Sequence, residues 1–120
     1  MRPHKKLEVW KDSKELLKES YRLTEKFSSA EKYGLVNQIN RAAVSILANI
    51  AEGAARESNK EYAHFITISQ GSLSELDALF EISYELNMIS KEEYKSIAVK
   101  TEKISAMLQG LKKYILNKKY

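Results

Sequence analysis

The chain contains no cysteine, and its 120 residues include a single proline, four glycines and two histidines. The absence of cysteine excludes disulfide bonds, thiolate metal sites and cysteine nucleophiles, and it fits a reducing compartment. No apolar run approaches the roughly 20 residues that a membrane-spanning helix needs. The basic start leads into an amphipathic segment and not into the apolar stretch of a signal peptide. We therefore expect a cytoplasmic protein with no membrane contact.

The scarcity of histidine leaves few catalytic arrangements to consider. Glu61 and His64 have the Glu-x-x-His spacing of iron ligands in ferritin-like bundles. That site needs a second such pair, but the other histidine, His4, lies at the start of the chain. The segment QGSLSEL around Gly71 has no phosphate-binding lysine and follows no predicted strand, so it is not a Walker motif. We expect no metal site, no cofactor and no enzymatic activity.

The residues that are abundant favour helix. The chain is 43% hydrophobic and 30% charged, with β-branched residues scattered among Ala, Leu, Glu and Lys. No segment alternates apolar and polar residues as a half-buried strand does. The composition and length predict one all-α domain covering residues 1–120.

Three serines, each followed three residues later by a glutamate, predict helix starts by the capping-box pattern. These pairs are Ser28 and Glu31, Ser58 and Glu61, and Ser90 and Glu93. Gly53 is predicted to end the second helix in a left-handed conformation. Four helices are therefore predicted, at about 8–27, 31–53, 59–87 and 91–117.

Apolar residues recur at steps of three and four in each predicted helix. The fourth helix has the most regular seam, formed by Tyr94, Ile97, Thr101, Ile104, Leu108, Leu111 and Ile115. Short links make neighbouring helices antiparallel, so the pattern predicts an up-down-up-down four-helix bundle. Gly71 interrupts the third helix, as a tolerated weak point or as a place of close helix approach. Apolar residues outside the seams, such as Val44 and Ile68, indicate homo-oligomerisation.

Two stretches resemble a known family. The runs EKYGLVNQINRAAVSILANIAEGAARES and EYAHFITISQGSLSELDALFEIS are similar to the four-helix-bundle family encoded by intervening sequences in bacterial 23S ribosomal RNA genes. The chain departs from the family pattern at Ser28 and Leu47, where a proline is usual, and at Asn40, where a second arginine is usual. The positions that fit the family pattern are Glu31, Tyr33, Gly34, Leu35, Gln38, Arg41, Ala42, Ser45, Asn49, Ile50, Ala51, Glu52, Gly53, Gly71, Ser72, Leu73, Glu75 and Leu76.

The resemblance implies a bundle that assembles into a ring-like homopentamer. It also implies kinship to the accessory protein of diversity-generating retroelements, a basic pentamer that binds nucleic acid and partners a reverse transcriptase. For the intervening-sequence members themselves it implies no settled biochemical activity.

A polar stripe runs along the second helix, because steps of three and four connect its members. Such a stripe is a solvated face, a direct ligand contact, or a polar network between helices or subunits. We favour the network, because short hydroxyl and amide side chains among alanines must be hydrogen-bonded when buried. The candidate interface residues are Gln38, Arg41, Ser45, Asn49 and Glu52, with Arg41 and Glu52 as the candidate charged partners.

The charge is uneven, although the net charge is only +4. Residues 1–30 contain eight basic and five acidic side chains, residues 31–90 four and eight, and residues 91–120 eight and three. If the first and fourth helices are neighbours, their lysines form one basic surface that attracts phosphates. The candidate nucleic-acid-binding residues are Lys5, Lys6, Lys11, Lys14, Lys112, Lys113, Lys118 and Lys119.

Two functional hypotheses follow. The first is a non-enzymatic homo-oligomer that binds RNA or DNA through the phosphate backbone, without base specificity because few aromatic residues lie among the lysines. Its further partner would be a reverse transcriptase or another protein. The alternative is an assembly scaffold that binds a protein partner and has no nucleic-acid role, with lysine-rich termini that serve only solubility.

Overall fold

The computed structural model describes residue 4 and residues 7–117, which form four α-helices. These helices are α1 (Glu8–Thr24), α2 (Leu35–Ala54), α3 (Asn59–Glu85) and α4 (Lys91–Asn117), with a short 3-10 turn at Ser29–Glu31. Within the described part of the chain there is no β-strand. None of the helices formed by these residues is long and apolar enough to cross a membrane.

Each helix packs against two others around one core, in the order α1, α2, α3, α4 and back to α1. The bundle measures 51 × 24 × 22 Å. Its core contains the apolar seams that the helical spacing predicts, and complete burial of one large aliphatic side chain stabilises the fold by about 1.5–3 kcal/mol. The largest fully buried side chains are Leu16 on α1, Ile39, Ile46 and Ile50 on α2, Ile66, Leu76 and Phe80 on α3, and Ile97, Ile104 and Leu108 on α4.

The start of α4 confirms the predicted capping box. The backbone N–H of Glu93 donates to Ser90 Oγ at 3.1 Å, and the Ser90 N–H donates to Glu93 Oε1 at 2.8 Å. Glu93 also accepts a bond from the Lys26 ammonium. These bonds, that of Lys26 first, hold the pKa of Glu93 below its usual range. At the start of α3, Ser58 Oγ accepts from the Glu61 N–H at 3.1 Å.

The predicted capping box at Ser28 is wrong. The Ser28 side chain caps nothing, and the Glu31 N–H donates to the Ser28 backbone carbonyl instead, at 3.0 Å. That bond closes the 3-10 turn, and the backbone leaves helical geometry again at Gly34, with φ −108° and ψ −103°. As a result α2 begins at Leu35, four residues later than predicted, and α1 ends at Thr24, three residues earlier.

The end of α3 is set by Asn87, which the sequence analysis missed. Asn87 has φ 60°, the only positive φ at a non-glycine residue in the described part of the chain. The Met88 N–H donates to the Ser83 carbonyl at 2.9 Å, and the Asn87 N–H donates to the Tyr84 carbonyl at 3.0 Å. This is the Schellman pattern, in which a left-handed residue satisfies the last carbonyls of a helix. It ends α3 at Glu85, two residues before the predicted end.

Gly53 does not end α2 in a left-handed conformation, so that prediction is wrong. None of the described glycines has positive φ, and α2 continues to Ala54. Gly53 instead lies where α3 comes closest. A Cβ at this position would stand 2.9 Å from the Cβ of Phe65 and 3.1 Å from the Tyr62 carbonyl oxygen. The glycine therefore permits close packing of α2 on α3.

Candidate nucleic-acid and subunit interfaces

Helices α1 and α4 are neighbours, as the basic-surface hypothesis requires, but carboxylates neutralise many of their cations. Lys103 pairs with Asp12 at 2.9 Å across the two helices, and Lys26 pairs with Glu93. Within α1, the exposed pairs are Lys11 with Glu8 at 3.3 Å and Lys18 with Glu15 at 3.5 Å. The α1–α4 surface is therefore a mixture of both signs, and its basic field is weaker than the count of lysines suggests.

The most buried of these carboxylates is Glu19 on α1. Its side chain is 10% exposed and accepts from Lys100 Nζ at 2.9 Å and from Arg22 Nη2 at 3.2 Å. Ser96 Oγ donates to the same carboxylate at 3.1 Å. Ser96 and Lys100 are both on α4, so Glu19 joins the two helices and its charge is compensated where water is scarce.

Lys112 and Lys113 near the end of α4 and Lys14 on α1 form no ion pair with any described residue, and neither do Lys91 and Lys95 at the start of α4. Lys11 lies near the start of α1 and Lys112 and Lys113 lie near the end of α4, and these two helix ends meet: residues 7–9 and residues 107, 110 and 111 line one cleft. Lys14 lies farther along α1, between Asp12 and Glu15, which line a cleft with Lys100 and Lys103. We call Lys11, Lys112 and Lys113 the basic end. The other candidate lysines, Lys5, Lys6, Lys118 and Lys119, lie outside the described residues.

The middle of the polar stripe lies between α2 and α3. Ser45 Oγ is 2.7 Å from Ser72 Oγ, and Asn49 Nδ2 donates to the Ser45 carbonyl at 2.8 Å and to Ser45 Oγ at 3.1 Å. Ser69, which is buried and was not singled out from the sequence, donates to the Ile46 carbonyl at 2.9 Å. A signal was present, since Ser69 and Ser72 interrupt apolar positions of α3 at a spacing of three.

The two ends of the stripe are exposed. Glu52 pairs with Arg56 at 2.8 Å, whereas Gln38 and Arg41 face solvent. Arg41 forms no ion pair within the described residues. A cleft of about 220 Å³ lies between α2 and α3, and it is lined by Gln38, Arg41, Ala42, Ser45 and Glu75. The stripe is thus a helix contact in its middle and an open surface on either side.

Asn40, which stands where the family usually has a second arginine, contributes to the α1–α2 contact. Its Nδ2 donates to Thr24 Oγ1 at 3.3 Å. The side chain is half-buried and is committed to this contact. It adds no charge to the surface beside Arg41. Arg41 is therefore the only lysine or arginine in α2, and the next one, Arg56, follows the end of the helix.

The outer part of α3 and its groove against α4 are acidic. A groove of about 600 Å³ between these helices is lined by Asp77 and Glu102 beside Tyr94. The Tyr94 ring stacks on Tyr84 with a centroid distance of 5.1 Å. Burial, and then the carboxylates of Asp77, Glu81 and Glu85, raise the pKa of Tyr94. The bundle therefore has an acidic α3 and a basic end.

Within the described part of the chain, Glu61 and His64 do not belong to a larger group of metal-ligating side chains. His64 is exposed and its ring lies 5.7 Å from that of Phe65. Among residue 4 and residues 7–117, no group of three or more His, Cys, Asp or Glu side chains is placed to hold a metal ion.

Comparison with known proteins gives a family and a solved structure. The profile of the 23S rRNA-intervening sequence protein family matches residues 5–110. A crystal structure of a protein with unknown function from the S23 ribosomal protein family of Bacteroides thetaiotaomicron has the same fold, with a TM-score of 0.81 and 24% identity over 88% of this chain and 95% of that chain. No curated protein matches the chain. Because the profile covers most of its length, the chain belongs to the 23S rRNA-intervening sequence protein family.

Proposed function

We propose that this chain is a non-enzymatic, homo-oligomeric bundle that binds the phosphate backbone of nucleic acid through its basic end. The observation that supports it is the absence of nearby acidic residues at the end of α4. Lysines along the α1–α4 contact are used in ion pairs, whereas Lys112 and Lys113 are not. The start of α4 also has unpaired lysines, but Glu92 and Glu93 accompany them, and residues 104–117 contain no acidic side chain. Cations without neighbouring carboxylates attract a polyanion most strongly.

The proposal includes the up-down-up-down order and self-assembly. Cross-helix contacts such as Lys103 with Asp12, Ser45 with Ser72, and Asn40 with Thr24 support the antiparallel order. Repetition of the basic end in an oligomer would multiply the phosphate contacts that each assembly makes. The pentameric state, the reverse-transcriptase partner and the cytoplasmic location come from the sequence and its resemblance, and they are part of the proposal.

Replacement of Lys112 and Lys113 by glutamine tests the basic end. We expect K112Q/K113Q to bind oligonucleotides more weakly whatever their base sequence, because phosphate contacts do not read bases. Each lost contact should reduce the slope of log affinity against log salt by about 0.7 for single strands and about 0.9 for duplex DNA. Fluorescence anisotropy at several salt concentrations measures both quantities.

The matched control is K91Q/K95Q, which removes the same charge from the first turns of the same helix, at the opposite end of the rod. Neither Lys91 nor Lys95 forms an ion pair among the described residues. We expect this control to keep most of the affinity. An equal loss in both variants would mean that only net charge matters and that the basic end is not the binding site.

A protein-binding scaffold is the second candidate function. It is favoured by aliphatic side chains that are exposed on α2 and α3, among them Val44, which is 46% exposed, and Ile68, which is 37% exposed. On this alternative K112Q/K113Q leaves the function unchanged.

A further inference from the structure

Lysine is distributed unequally over the four helices. Helix α4 contains six lysines and α1 contains three, whereas α3 contains only Lys60 and α2 contains none. A solvated helix face normally has many long charged side chains, and surfaces buried between subunits are depleted in lysine. The scarcity of lysine on α2 and α3 is therefore compatible with a covered surface, although both helices have exposed sides and α3 contains five acidic residues.

The exposed side of α3 has the spacing of a helix-packing face. Ile68, Glu75 and Ile82 follow each other at intervals of seven residues, so they lie along one line of the helix. Ile68 and Ile82 are 37% and 46% exposed. Gly71, between the first two, is also exposed, and a Cβ added there would meet nothing within 4 Å. Scattered exposed aliphatic side chains are normal on a protein surface. The exposed isoleucines alone therefore do not identify a binding partner for this side of α3, and the charges around them are needed to do so.

The charges of this side are complementary to each other, but they are not paired within one chain. Arg41 on α2 and Glu75 on α3 line the same cleft, yet neither forms an ion pair with a described residue. The nearby Glu52 is already bound by Arg56. One copy thus presents an uncompensated guanidinium on α2 and an uncompensated carboxylate on α3. In a closed ring, one neighbouring copy supplies the carboxylate for Arg41 and the other neighbouring copy supplies the guanidinium for Glu75.

We propose that copies of this chain associate through the exposed sides of α2 and α3, with Arg41 of one copy bound to Glu75 of the partner subunit. The inference rests on the self-assembly in the proposed function and adds the surface and the residues that perform it. The side of the bundle rich in lysine, with the basic end, then remains free in the assembly.

Charge reversal tests this contact. R41E and E75R each place two like charges opposite one another, so each variant alone is expected to elute and scatter light as a 13.8 kDa chain. The double variant R41E/E75R is expected to recover the mass of the wild-type assembly. Circular dichroism is expected to give the same helix content for all three, because both side chains are exposed.

An equimolar mixture of R41E and E75R separates contacts between chains from contacts within one chain. Glu in place of Arg41 on one variant meets Arg in place of Glu75 on the other, and the unmutated residues meet as in the wild type. Every contact matches only where the two variants alternate, and a ring of five has one contact that cannot match. The return of any assembly larger than one chain on mixing, closed or open, supports a contact between subunits. If the single variants are monomeric and the mixture stays monomeric, the Arg41 to Glu75 pairing is wrong.

Two controls complete the test. K95E and E102R reverse exposed charges on α4 and are expected to leave the mass unchanged. G71Q and G110Q place the same side chain at exposed helical glycines with open space around both, and only G71Q is expected to prevent assembly. Wild-type mass in R41E, E75R and G71Q would overturn the inference but leave an oligomer that binds nucleic acid, whereas a monomeric wild type would overturn both proposals.

Discussion

Gly53→Ala is expected to lower the free energy of unfolding by about 1–3 kcal/mol, the usual cost of overpacking a closely fitted contact. The new methyl group would stand 2.9 Å from the Phe65 Cβ and 3.1 Å from the Tyr62 carbonyl oxygen. Both neighbours are tied to the backbone of α3, so the two helices must move apart. The Arg56 guanidinium, which lies 4.8 Å from the centre of the Phe65 ring, would be displaced as well.

The measurement is urea unfolding followed by circular dichroism at one fixed protein concentration, because self-association makes apparent stability depend on concentration. Gly110→Ala is the matched control. This position is helical and open and lies outside the proposed subunit contact, so alanine should raise the free energy of unfolding by up to about 1 kcal/mol through its helix preference. A gain of similar size in both variants would mean that α2 and α3 are not in close contact at Gly53.

Glu19→Ala is expected to destabilise the bundle by about 2 kcal/mol. Loss of one partner from a buried ion pair costs about 3–5 kcal/mol, and we expect less here because the Lys100 and Arg22 side chains are 38% and 62% exposed. Their charges reach water when the carboxylate is removed. Ser96 loses its acceptor on α1 in the same variant.

Glu15→Ala is the control, since Glu15 is on the same helix and also pairs with a lysine three residues away. Both partners in that pair are about two-thirds exposed, at 66% and 68%. We expect a change of no more than about 0.5 kcal/mol. Equal effects in the two variants under urea unfolding would show that Glu19 does not join α1 to α4 in the way described.

Sequence patterns were sufficient where local chemistry decides the structure. The box formed by Ser90 and Glu93 predicted the start of α4 because its bonds join residues three apart. Gly53 was misread for the opposite reason. A glycine near the end of a helix is usually a left-handed stop, and only the position of α3 reveals that its hydrogen is needed for packing.

In the candidate sites too, the sequence predicted what depends on local patterns and missed what depends on contacts between helices. The sequence predicted a row of lysines on α1 and α4, but not that Lys100 is bound by Glu19 or Lys103 by Asp12. Those pairs depend on the rotation and register of two helices that are about 80 residues apart in the chain, and no local pattern encodes either. In the same way, the contact of Ser45 with Ser72 required the position of α3.

Binding of a fluorescent single-stranded oligonucleotide by the wild-type protein, at low and then at moderate salt, tests the central claim most directly. The account predicts a rise in anisotropy at about 50 mM salt and at least a tenfold loss of affinity by about 200 mM salt, as expected when about three or more phosphate contacts are replaced by counterions. The same loss should occur for RNA and DNA of any sequence. No anisotropy change at the lower salt concentration would contradict the account and direct the search to protein partners.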